Sequence, residues 1–264
     1  MKNVSLYTFL LAAILCMTIV DVAAAVRYVK PTATGTGTGN SWANASGNLQ
    51  AMIDASAVGD EVWVATGTYK PSAYPTGCSG CSTARDYTFH LKNGVKVYGG
   101  FAGTETLLTQ RNITANPTIL SGDFNNDDVV TGSSSTLSIT GNTENAYHVV
   151  LSVSDAATTV LDGFTVRGGN ANVSSSSITV EGQSIFRSSS GGMHNNLSSP
   201  TVNNCTFTGN SAISDGSAMY NNNNSSPTVS NCTFTANSAN FGSAIYNNSS
   251  SSPSITNCTF TGNL

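Results

Sequence analysis

Toward the C-terminal end of the chain the apolar residues fall into a block written three times: SSPTVNNCTFTGN from Ser198, SSPTVSNCTFTAN from Ser225 and SSPSITNCTFTGN from Ser251. Fixed places in it hold Val202, Cys205 and Phe207, then Val229, Cys232 and Phe234, then Ile255, Cys258 and Phe260. Cysteine to phenylalanine is a step of two, the alternation of a strand, but valine to cysteine is a step of three. One residue must be absorbed at a bend. Asn204, Asn231 and Asn257 stand there, and asparagine is the non-glycine residue that best tolerates left-handed backbone. The pattern predicts two short strands per block joined by an asparagine corner, with the valine or isoleucine, the cysteine and the phenylalanine facing inward.

The three cysteines are 27 and 26 residues apart, too short for a strand–helix–strand unit and long enough for one turn of a solenoid of short strands. Stacking such turns at a strand spacing of ~4.8 Å sets Phe on Phe, Cys on Cys and Asn on Asn. The second half of each turn repeats as well: Gly216-Ser217-Ala218-Met219-Tyr220-Asn221 returns as Gly242-Ser243-Ala244-Ile245-Tyr246-Asn247, with an earlier relative at Gly191-Gly192-Met193-His194-Asn195. The one-residue difference between repeats is expected in the loop between Ala212 and Gly216.

Upstream, Val26–Lys30, Glu61–Ala65, Val95–Tyr98, Thr118–Leu120, Val149–Leu151 and Val160–Phe164 read as strands at irregular spacing, so the early turns carry the longer loops. Asn48–Ala55 reads as a short amphipathic helix with Asn48 as its cap and Leu49, Met52 and Ile53 on one face. It is expected to cover the open first turn, which would otherwise expose core and an unpaired edge. No matching cap precedes Leu264, which stands in mid-turn, and the expectation is a fragment whose missing part holds further turns and an anchor.

The blocks resemble the polymorphic outer membrane protein repeat of chlamydiae, whose marks are an FxxN and a GGA-plus-aliphatic tetrapeptide per turn. FxxN is matched at Phe207–Asn210, Phe234–Asn237 and Phe260–Asn263; the second mark is looser, because Ser217 and Ser243 replace its second glycine. More widely the chain is similar to secreted right-handed parallel β-helix proteins of the pectin-lyase-like kind, a likeness that extends to segments from Ser41, Gly94, Glu144 and Val160. The resemblance implies an all-β fold, a right-handed parallel β-helix with a short N-terminal capping helix. It leaves activity open, because this fold carries lyases, hydrolases, adhesins and autotransporter passengers alike.

Residues 1–25 read as a signal peptide, with Lys2, an apolar run from Leu6 to Val20 and an A-x-A site ending at Ala25; an uncleaved anchor helix is the alternative. The expected organisation is a leader over 1–25, a cap with irregular turns over 26–190, and regular repeats over 191–264. Localisation follows as secreted or cell-surface, outer membrane associated, with no transmembrane helix in the mature chain. Only 9% of residues are charged and the net charge is −4, so no basic face tracks phosphates and nucleic acid is not an expected partner. Cys78 and Cys81, in a loop with Pro75, Gly77 and Gly80, read as a disulfide in an oxidising compartment in preference to a redox or zinc motif. Cys205, Cys232 and Cys258 read as small buried hydrophobes in the core stack with Phe207, Phe234 and Phe260.

From Asn195 onward the chain holds one acidic residue, Asp215, and no lysine, arginine or histidine, which excludes the repeats as an active site. Tyr220 and Tyr246 leave glycan contact open there. The one acidic cluster is SGDFNNDD, where Asp123, Asn125, Asp127 and Asp128 open like a calcium loop; an EF-hand is excluded, and a solvated turn is the competing reading. Asp162, Arg167, Glu144 and His148 stand singly and read as structural. No cofactor is required, calcium being the one candidate. Two functions remain: a non-catalytic surface or adhesin-like protein presenting polar loops to glycans or proteins, and a carbohydrate-active lyase or hydrolase with its site between Tyr69 and Glu144.

Overall fold

The fold is given by a computed structural model that describes residues 24–264, so nearly all of the expected leader lies outside the described residues. Three columns of short parallel strands run along a coil. Sheet A stacks Val26–Val29, Glu61–Ala65, Lys96–Phe101, Val160–Asp162, Thr201–Asn203, Thr228–Ser230 and Ser254–Thr256. Sheet B stacks Gly67–Tyr69, Thr118–Ser121, Thr165–Arg167, Thr206–Thr208, Thr233–Thr235 and Thr259–Thr261, and sheet C stacks Phe89–His90, Val150–Val153, Met193–Asn196, Met219–Asn222 and Ile245–Asn247. The fold is an all-β parallel β-helix.

The turn between sheets A and B sits at the asparagines, with φ of 52° at Asn204, 53° at Asn231 and 52° at Asn257. One turn earlier the same place is held by Gly163 at φ 85°, since Asp162 pairs with Asn203 and Thr165 with Thr206. Side chains then stack in register. Val202 pairs with Val229 and Val229 with Ile255, while the rings of Phe207, Phe234 and Phe260 lie 5.0 and 4.9 Å apart and nearly parallel. Val202, Cys205 and Phe207 are at most 1% exposed, and burial of each contributes about 1.5–3 kcal/mol at the larger side chains. The three repeat cysteines are free thiols, and Cys205 N donates to Cys232 Sγ of the next turn.

A second interior column is made of amides. The FxxN asparagines Asn210, Asn237 and Asn263 bond to one another at 3.0 and 2.9 Å, and each also donates to a backbone carbonyl of the turn before, Val166, Phe207 or Phe234. Asn195, Asn221 and Asn247 form a similar ladder at 2.8 Å per step. The corner asparagines lie further out and form no continuous ladder: Asn204 donates to Asp162 at 3.0 Å, Asn231 to Asn203 at 3.0 Å and Asn257 to Asn231 at 3.5 Å.

One expectation is corrected. The length difference between repeats lies inside a strand pair, not a loop: Ser211–Asp215 runs beside the shorter Ser238–Phe241, and the register shifts between Ala212 and Asp215. A β-bulge takes up one residue on the side of the coil where the sheet has only three strands.

Helix α1, Leu49–Ala55, packs on the first strands of sheets A and C. Asn48 caps it by accepting from Ala51 N at 3.0 Å, and Leu49 and Ile53 are buried over the first turn. Two hairpins leave the coil, Val129–Thr131 with Ser138–Thr140 and Ser177–Val180 with Gln183–Phe186. The second packs Ile178, Val180 and Ile185 on Leu151 and Val153 of sheet C, making a small outer core. Among the described residues no helix is long and apolar enough to cross a membrane.

Candidate functional site

The acidic loop leaves sheet B at Ser121. Its first carboxylate shapes it: buried Asp123 accepts from Asn126 N at 2.5 Å and Asp127 N at 3.3 Å, and Asn126 turns the chain at φ 59°. The loop folds back so that carboxylate oxygens of Asp123, Asp127 and Glu144 all lie within 4.8 Å of one another. Oxygens held about 2.3–2.6 Å from one calcium ion are separated by at most about 5 Å, so the three fall within that reach. Asn125 takes part through its backbone, whose N–H donates to Glu144 Oε1 at 3.3 Å.

Asp128 turns the other way. Both its oxygens accept from Asn145 Nδ2, at 3.0 and 2.9 Å. Burial, and then repulsion by Asp123, Glu144 and Asp127, push its carboxyl up to about 6, against the opposing effect of the Asn145 bond. It faces a cavity of about 220 Å³ lined also by Val130, Arg167, Gly168, Thr208 and Gly209. Gly168, at φ 69°, is needed there, because a Cβ would stand 2.9 Å from Asp128 Oδ2. Arg167 Nε is buried without a hydrogen-bond partner among the described residues. A carboxyl raised toward neutrality in a cavity that also holds a guanidinium can exchange a proton with a bound group, while Arg167 can contribute only positive charge and N–H donors.

Several other ionisable groups of these turns have structural partners. Cys78 and Cys81 are joined by a disulfide, and Ser79 exchanges backbone hydrogen bonds with Thr179, tying that loop to the outer hairpin. Arg187 forms a buried pair with Asp86 at 2.7 Å, Arg111 pairs with Asp162 at 2.8 Å, and His148 Nδ1 meets Ser190 O at 2.7 Å. Along the repeats Tyr220 is only 3% exposed and its hydroxyl accepts from Asn248, so it offers no open ring to a glycan. Glu144 and Arg167, isolated in the sequence, are the two residues that the fold carries into the acidic loop and the adjoining cavity; their separation from Asp123 along the chain leaves no motif to find them by.

The profile of one protein family, described as a right handed beta helix region, matches residues 129–264, more than half of the chain. No curated protein matches the chain. No solved structure matches it either.

Proposed function

Since this chain belongs to the right-handed β-helix family, we propose that it is an exported, non-catalytic β-helix of the cell surface or extracellular space that presents polar loops to glycans or proteins. The observation that carries this reading is the flank beyond His194: rung after rung of Ser, Thr and Asn in register, with Asp215 as its one ionisable carboxylate. Such a surface binds by hydrogen bonding and shape, and a lone carboxylate gives it no acid–base pair. In this reading residues 1–25 are a removed leader, 26–190 carry the cap and the recognition loops, and 191–264 are the stalk. The FxxN likeness to the chlamydial outer membrane repeat and the Cys78–Cys81 disulfide support passage through an oxidising compartment. The test is binding of the purified chain to a panel of glycans and extracellular proteins: saturable capture surviving deletion of the acidic loop's charge supports the reading, and absence of capture across the panel removes it.

Asp123, Asp127 and Glu144 would hold calcium as a brace for the loop. Calcium is then expected to raise the melting temperature of the native chain and to leave Asp127→Asn unmoved; equal responses would dismiss the ion. The Asp128–Arg167 cavity favours a second reading, a carbohydrate-active enzyme. Ultraviolet absorbance of unsaturated uronides, followed with anionic polysaccharides, decides: a rise abolished by Asp128→Asn establishes catalysis and overturns the adhesin reading.

A further inference from the structure

Apart from the acidic loop, a second group of ionisable side chains converges beneath the tip of the hairpin Ser177–Phe186. A cavity of about 180 Å³ is lined there by Asp54, Thr76, His90, Leu91, Lys92 and Glu181. Gln50 of α1 builds it. Buried at 4% exposure, its Oε1 accepts from His90 N at 2.9 Å, and its Nε2 donates to His90 O at 2.9 Å and to Asp54 Oδ1 at 2.8 Å. The amide thus closes the edge of sheet C as a neighbouring strand would, and fixes His90 and Asp54 relative to one another.

The His90 side chain is 5% exposed, and its Nε2 has no hydrogen-bond partner among the described residues. That atom points to Glu181, whose Oε1 is 4.0 Å away. Glu181 sits at φ 49° and Gly182 at φ 76°, the two left-handed places of a tight hairpin turn. Asn, Asp and Gly fill such places readily; glutamate does not. A disfavoured residue at a turn tip, aimed at an unsatisfied buried nitrogen, is what a ligand contact leaves behind.

Asp54 and Glu181 outweigh Lys92, whose Nζ donates to Asp54 O at 2.7 Å, and burial holds His90 down at about 4, neutral at ordinary pH. The cavity is therefore acidic and rich in acceptors. A donor nitrogen about 2.8 Å from both His90 Nε2 and Glu181 Oε1 subtends an angle of about 90°, open to two N–H bonds. A zinc ion about 2.1 Å from both would require about 145°, far from tetrahedral. We propose that this cavity binds a primary alkylammonium group, its carbon chain lying along Leu91 and the Lys92 methylenes. Lysine side chains, polyamines and amino sugars all present that group. The site does not depend on export or on the acidic loop.

The experiment titrates the described chain at neutral pH with butylamine, using butanol as the uncharged control, and follows the amide signals of His90, Glu181 and Gly182 in a proton–nitrogen correlation spectrum. Saturable shifts with butylamine alone are expected, weakened about tenfold by Glu181→Gln, the scale of one charge-assisted hydrogen bond. Glu181 lies at an exposed tip, so that variant keeps the fold, and the unchanged remainder of its spectrum verifies this. Asp54→Asn gives an independent second loss. Parallel titrations with putrescine, Nα-acetyl-lysine and glucosamine rank the three sources. Equal shifts with butylamine and butanol, or an undiminished affinity in Glu181→Gln, would overturn the proposal.

Discussion

Asn237→Ala tests whether the inner amide ladder, and not the outer asparagine corner, holds the rungs together. Asn237 is fully buried; its Nδ2 donates to Phe207 O and Asn263 Oδ1 at 2.9 Å, and its Oδ1 accepts from Asn210 N at 3.2 Å and Asn210 Nδ2 at 3.0 Å. Truncation leaves the Phe207 carbonyl and the Asn210 N–H without their amide partner in the interior. Each orphaned group costs about 1–3 kcal/mol, so the variant should lose about 3–5 kcal/mol in all. The control is Asn231→Gly, an exposed corner residue at φ 53°, where glycine removes the side chain without adding left-handed strain. Its loss should stay within about 0.5 kcal/mol. Urea unfolding gives both values, with hydrogen exchange of the flanking rungs as a local readout because stacked turns need not unfold all at once. Equal losses in the two variants would refute the assignment of the ladder.

Ala236 stands at φ 52°, where the neighbouring turns have Gly209 and Gly262, so Ala236→Gly should raise stability by about 0.5–1 kcal/mol, read from the urea midpoint. Lowering the pH should destabilise the fold. Burial holds His90 and His148 at about 4 and His194 well below its usual value. The unfolded chain therefore binds more protons below about 6.5, and stability is lost as pH falls from there toward 4, by up to about 3 kcal/mol for His148. Asp128 and Asp155, raised to about 6, act oppositely below that pH, so the fall continues toward pH 4 but at a slope smaller than the three histidines alone would give. A midpoint that does not move from pH 7 to 5 would contradict this. Replacing Cys78 and Cys81 by serine should cost about 2 kcal/mol, the entropy of so short a closed loop, and hydrogen exchange should quicken in the hairpin Ser177–Phe186 while the repeats keep their protection.

The repeats are legible in the sequence because each rung meets only its neighbours. A side chain at Val202, Cys205 or Phe207 faces its own kind one turn on, so identity at a spacing of 26 or 27 residues is a direct record of contact. The irregular turns lack that redundancy. By pattern Phe164 ends a strand, yet Gly163 at φ 85° bends the chain just before it, and Phe164 fills the place that Cys205 holds in the next turn. Size explains the exchange: a larger ring on one rung and a smaller thiol on the next pack one volume, and a search for repeated letters does not see volume.

Repetition marks both sets of asparagines but does not tell the inner amides from the outer ones. The corner asparagines and the FxxN asparagines recur with equal regularity, but recurrence is silent about which side of the wall a side chain occupies. Backbone geometry separates them. Asn231 itself occupies the left-handed place and its amide swings outward, whereas at Asn237 the residue before it, Ala236, turns the chain and delivers the amide inward. The acidic run Asp123–Asp128 is visible as a pattern, but the residues that complete the two ionisable clusters from elsewhere in the chain are not. Glu144 comes to Asp123 from beyond the hairpin Val129–Thr140, and Glu181 comes to His90 at the tip of an inserted hairpin that belongs to no repeat. Both meetings are made by insertions, which a solenoid tolerates on its loops because the stacked strands fix the register without them. Function in such a coil therefore has to be sought where periodicity breaks, and the outer hairpin, with its acidic tip held over a neutral buried histidine, is such a break, packed on sheet C.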